Sequence, residues 1–124
     1  MSKEEILESN KLIAEFMGGL FKSNKFTIND GWVWLPFENM CKITSLRYNS
    51  SWDWLMPVVE KIEKIIWNKI DLTEEVIING LSCRIPIKDD AFISIKNTKI
   101  EATYDCVVEF IKWYNNQKLT NETN

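Results

Sequence analysis

Val76-Ile77-Ile78-Asn79-Gly80-Leu81-Ser82-Cys83-Arg84-Ile85 sets an Asn-Gly dipeptide between two runs rich in β-branched residues. That arrangement predicts a β-hairpin closed by a two-residue type I′ turn, because Asn and Gly both tolerate the left-handed backbone such a turn needs. In this register Ile78 opposes Leu81 and Val76 opposes Cys83 on one face. Ile77 opposes Ser82 and Glu75 opposes Arg84 on the other, so one face is apolar and the other carries an opposite-charge pair. Pro86 has no amide hydrogen to donate and points to an edge position for the far end of the second strand. Lys88-Asp89-Asp90-Ala91 then turns the chain into a third extended run, Phe92-Ile93-Ser94-Ile95-Lys96.

Helical signals surround this hairpin. Ser2-Lys3-Glu4-Glu5 has the S-x-x-E form of a capping box, and Gly18-Gly19 offers the left-handed C-cap, which predicts a helix over about 3–17. Thr98-Lys99-Ile100-Glu101 is a second capping box and opens a helix at Lys99. Its apolar stripe of Ile100, Tyr104, Val107, Val108, Ile111 and Tyr114 is widened by Cys106, Phe110 and Trp113, an arc that requires burial on two sides or an interface. Between them, Trp52, Leu55, Met56, Val59, Ile62 and Ile66 form one face of a central helix capped by Ser50 or Ser51, with Asp53 in its first turn. Pro57 cannot bond the Asp53 carbonyl, so either the first turn is kinked or regular helix begins near Pro57.

From Leu20 to Asn49 the pattern loses its period. Asn29-Asp30-Gly31 is turn chemistry, and Trp32-Val33-Trp34-Leu35 alternates before Pro36, which puts both tryptophans on one face of a short extended piece. Cys41 to Tyr48 reads as a further, imperfect extended run. Three helices and a small antiparallel sheet, made of the hairpin at Asn79-Gly80 plus one or two strands, define an α+β domain resembling an α-β-α sandwich. The domain is expected over 1–115, with 116–124 a frayed tail.

Composition narrows the chemistry. The 124 residues carry 15 basic and 18 acidic side chains for a formal charge of -3, which disfavours general nucleic-acid binding. No histidine is present, so a Ser/His/Asp triad, a Cys/His pair and a His-ligated metal site are excluded. Cys41, Cys83 and Cys106 are widely spaced and read as reduced thiols. Asp89-Asp90 reads as a solvated turn, and Glu101, Asp105 and Glu109 as a solvated helix face. The expectation is a protein without catalytic residues, metal or cofactor. The polar N-terminus and the lack of a long apolar run point to a cytoplasmic protein with no membrane span.

One cluster can hold a ligand. Trp32, Trp34, Tyr48 and Trp52, together with Arg47, Ser50 and Ser51, gather near the start of the central helix, where rings can stack on a base and Arg47 and the helix amides can meet a phosphate. The competing reading makes these rings a lid on the core, with Asp53 opposing an anion at that helix end. Arg84 is explained by its expected partner Glu75.

Leu46-Arg47-Tyr48-Asn49-Ser50-Ser51-Trp52-Asp53-Trp54-Leu55-Met56-Pro57, the segment Leu12 to Gly19, the hairpin and the segment Lys99 to Asn115 together resemble a group of small proteins from phages and prophages of Bacteroidetes-type bacteria. More loosely they are similar to the phage α-β-α sandwich domain. The resemblance covers most of the chain outside 20–45 and implies origin and fold, with no activity attached. It leads to the expectation of a non-enzymatic phage-derived binding protein that sequesters a small nucleotide-type signal or a host protein. The alternative is a structural or interaction module forming a homo-oligomer through the wide face of the last helix.

Overall fold

Ser2 starts the first helix as its capping box dictates: in the computed structural model its side chain accepts from the Glu5 amide at 3.1 Å, and α1 runs Lys3–Phe16. The helix closes in a full Schellman arrangement around Gly18, whose φ of 90° is a left-handed value suited to glycine. The Gly18 amide donates to the Glu15 carbonyl and the Gly19 amide to the Ala14 carbonyl, at 3.0 and 2.8 Å. The described residues are 1–22, 31–36, 40–70 and 73–123, so the expected Asn29-Asp30 turn lies outside them.

By its contacts the chain divides into two compact units, Met1–Asn49 and Ser50–Asn124, where length alone predicts one domain over 1–115. The first unit holds α1 and three short strands, β1 (Leu20–Lys22), β2 (Trp32–Trp34) and β3 (Met40–Lys42), in the antiparallel order β1-β2-β3. The extended run expected from Cys41 to Tyr48 is strand only through Lys42, and a 3-10 turn, Ile43–Ser45, follows it. Buried Ile13, Ala14, Val33, Leu35, Ile43, Leu46 and Tyr48 supply this unit's core.

The second unit holds α2 (Trp52–Ile65), a π-helical turn (Ile66–Ile70), strands β4 (Ile77–Asn79), β5 (Ser82–Ile87) and β6 (Asp90–Ile95), and α3 (Lys99–Thr123). Its sheet is antiparallel in the order β4-β5-β6. The protein is therefore α+β, with two small sheets in place of the single one assembled from the sequence. α3 lies on β5 and β6 and also meets α2, which explains its wide apolar arc. Ala102, Tyr104, Cys106, Val107, Val108, Phe110 and Ile111 are all buried, the burial on two sides that such an arc requires. Its backbone stays helical over 116–123, where a frayed tail is expected.

Three local expectations are corrected. The buried face of α2 is Leu55, Val58, Val59, Ile62 and Ile65, rotated from the predicted stripe so that Met56 is exposed, and regular helix spans Pro57. The hairpin register is Ile77 opposite Arg84, Ile78 opposite Cys83 and Asn79 opposite Ser82, two positions away from the type I′ pairing. Only Gly80 takes a positive φ, 59°, so the turn is closed by Gly80-Leu81 with glycine in the first central position, the type II′ pattern. Asn79 is left extended, and its carbonyl accepts from the Ser82 hydroxyl at 2.8 Å. A shift of two keeps the ladder residues on their predicted faces, so Ile78 and Cys83 still point inward, while Leu81 moves into the turn and is exposed. Lastly, Arg84 pairs with Glu74 at 3.1 Å and not with Glu75.

Gly80 gives a clean test of this turn. A Cβ there would meet nothing within 4 Å, so Gly80→Ala is expected to cost only the left-handed backbone penalty, about 1–2 kcal/mol. Gly80→Val should cost more, because a β-branched residue at positive φ is a genuine outlier. Urea midpoints of the two variants check the ranking.

Candidate functional site

The first sheet determines where the cluster's tryptophans go. Residues opposite one another in the ladder share a face, and the register sets Leu20, Trp34 and Met40 in one row and Trp32 and Lys42 in the next. Between them, Val33 turns to the other side and is fully buried. Gly19 permits this: a Cβ there would sit 2.9 Å from Val33 Cγ2 and 2.8 Å from the Ala14 carbonyl oxygen, so a side chain would push the strand off the helix. With Val33 inward, Trp32 and Trp34 stand outward at 42% and 54% exposure, beside Met40 and Leu20, also exposed. The two tryptophans are roughly 7 Å apart along the strand, the repeat of same-face residues. The Lys42 ammonium lies 5.8 Å from the Trp32 ring centre, a cation-π contact.

Of the seven residues expected to bind a ligand, Trp32 and Trp34 are therefore brought together on one solvent-facing sheet surface. Arg47 and Tyr48 follow the 3-10 turn in the same unit. Arg47 is exposed, whereas Tyr48 is buried at 4% exposure and presents no ring face to solvent. Ser50, Ser51 and Trp52 open the second unit. Ser51 occupies the N-cap of α2 in an extended conformation and makes no side-chain cap bond, while its carbonyl accepts from Trp54 and Leu55 at 3.2 and 3.0 Å.

The sequence pattern missed the residue that holds the Arg47 segment in place. Asn10 is buried on α1, and its side-chain amide donates to the Leu46 carbonyl at 3.2 Å and to Asn49 Oδ1 at 3.1 Å. Asn10 thus fastens both flanks of Arg47-Tyr48 to the helix. Lys42, Met40 and Leu20 were also missed, since their place beside the tryptophans follows only from strand register.

Several of the remaining polar and thiol groups have structural partners. Asp105, expected to be solvated, is partly buried and accepts from the Ser94 hydroxyl at 2.7 Å. Asp89 takes a left-handed φ of 66° in the turn before β6, and the Asp90 carboxylate accepts from the Ala91 amide at 2.8 Å. The Cys106 thiol donates to the Phe92 and Cys83 carbonyls at 3.2 and 3.5 Å. The neighbouring Cys83 thiol, then burial, push the Cys106 thiol well above its ordinary range. Among the described residues no group of three or more His, Cys, Asp or Glu is placed to hold a metal ion, and no helix is long and apolar enough to cross a membrane. Compared with family models, curated proteins and solved structures, the chain matches none of them.

Proposed function

We propose that this chain is a non-enzymatic binding protein whose recognition surface is the Trp32–Trp34 face of its first sheet, with a flat, base-bearing, nucleotide-type molecule as the ligand. The observation that carries the reading is the pair of exposed tryptophans on one face of a folded strand, flanked by Met40, Leu20 and the Lys42 cation. Large rings left in water on an ordered strand cost solvation and return nothing to the core, whereas every nucleobase offers a π-face on which they can stack. Lys42 beside Trp32 supplies the positive charge a phosphate group needs near the stacked base. The resemblance to small phage proteins fits a role in sequestering such a signal, or a host factor, in the bacterial cytoplasm.

Titration of the intact protein with mono-, di- and cyclic nucleotides, followed by tryptophan fluorescence and thermal shift, tests this directly. A saturable quench is expected with at least one of them. Base stacking is worth about 1–3 kcal/mol per ring, so Trp32→Ala or Trp34→Ala should weaken binding roughly 5- to 150-fold, with Arg84→Ala without effect. No saturable signal from any nucleotide, or equal losses from Arg84→Ala, would overturn the assignment.

A further inference from the structure

The second sheet ends in an open strand. β6 lies at the edge of the order β4-β5-β6, and among the described residues no strand pairs with its outer side. Which backbone groups are left over follows from one hydrogen bond. The Lys96 amide donates to the Leu81 carbonyl at 3.0 Å, so Ser94, Phe92 and Asp90 likewise turn their backbone groups toward β5. Ala91, Ile93 and Ile95 turn theirs outward, by the alternation of an antiparallel ladder. The side chains of Phe92 and Ser94 face α3, while Ile93 and Ile95 stand on the opposite face at 65% and 72% exposure. From Asp90 to Ile95, β6 holds neither proline nor lysine, two of the devices that normally blunt an edge, and its one charge, Asp90, stands at the first position.

The sequence of this edge complements itself. When β6 is laid antiparallel against a second copy about a two-fold axis at Ile93, Ile93 meets Ile93 and Ala91 meets Ile95. The outward amides and carbonyls of those residues then fall opposite one another as hydrogen-bonded pairs. The same register sets Asp90 against Lys96 of the other copy at both ends, so opposite charges face each other twice. Ala91 leaves room for the Ile95 side chain. The Asp90 carboxylate, now held by the Ala91 amide, is released when that amide passes to the Ile95 carbonyl of the other copy.

We propose that the protein self-associates through β6, joining two copies edge to edge into one continuous antiparallel sheet. A single strand pair buries less than the roughly 1,200 Å² of a standard interface, so the association depends on concentration. This goes beyond the tryptophan surface, lies in the other unit, and stands or falls independently of nucleotide binding.

Sedimentation velocity of the full chain across micromolar to millimolar concentrations is the test. A monomer–dimer equilibrium is expected, with Lys96→Glu weakening it about tenfold or more by setting two carboxylates together at each end. Asp90→Lys combined with Lys96→Glu should restore it. Ile93→Pro removes an amide that no strand of this chain uses, and should abolish the dimer while circular dichroism shows an unchanged fold. If that variant loses its fold, the charge pair alone decides. A monomer at every concentration, or a dimer indifferent to Lys96→Glu, would overturn the proposal.

Discussion

Phe110→Ala is expected to destabilise the second unit by about 3–5 kcal/mol. The Phe110 ring is fully buried, with ring centres of Phe92 at 6.4 Å, Trp113 at 5.7 Å and Tyr114 at 6.1 Å. It is packed edge-on to Phe92 and nearly parallel to Tyr114, geometries in which aromatic pairs contribute beyond their buried area. Alanine would leave a cavity bounded by β6 on one side and by α3's own last rings on the other, and rings of this size cannot collapse to fill it. Phe110→Leu should cost less, because it retains most of the buried volume, and Glu109→Ala on the exposed side of the same helix should stay within about 0.5 kcal/mol. Hydrogen exchange at the β5 and α3 amides, with urea denaturation, reads the effect. A loss below about 1 kcal/mol would mean that the ring is not a core element.

The second large effect is expected at Asn10. Asn10→Ala removes both donors that satisfy the Leu46 carbonyl and Asn49 Oδ1, and a buried acceptor left without a donor costs about 1–3 kcal/mol. Asn10→Asp should be worse at neutral pH, since an ionised carboxylate cannot donate and would face two oxygens. Burial and those oxygens would raise the folded-state pKa of the introduced acid above its unfolded value, so the folded state would hold the proton more tightly. Stability of Asn10→Asp should therefore be higher at low pH and fall as pH rises through that folded pKa, approaching the alanine variant only when the acid is protonated. Urea midpoints of both variants between pH 4 and 8 measure this; a pH-independent gap would show that position 10 is not enclosed by acceptors.

What the sequence disclosed was whatever is decided within a few residues. Ser2 and Thr98 act as caps because each needs only an amide three positions ahead, and Glu101 does donate its amide to Thr98 at 3.2 Å. The alternation of Trp32 and Trp34 correctly put both rings on one face. Hairpin faces were legible as well, but its register was not. Asn79-Gly80 permits a type I′ turn, and the alternative in which Gly80 alone is left-handed keeps the ladder residues Ile78 and Cys83 inside, so periodicity does not distinguish them. Glu74 precedes β4 and is free of the ladder, so pattern assigned Arg84 to Glu75. Strands as short as Leu20–Lys22 and Met40–Lys42 are below the length at which a period of two can be read, which hid the first sheet and the neighbours of the tryptophans. Asn10 was invisible for another reason: a polar residue in an apolar stripe reads as an interruption until its partners, 36 and 39 residues away, are known.

The distribution of the three thiols gives the protein a built-in clock. Cys83 and Cys106 are both enclosed between α3 and the second sheet, and Cys106 is held far from its reactive thiolate form, so neither can meet a thiol reagent until that sheet and helix part. Cys41 belongs to the other unit and is only partly covered. Timed alkylation followed by mass mapping would thus time the opening of the second unit through Cys83 and Cys106, with the more accessible Cys41 as an internal reference and no residue changed.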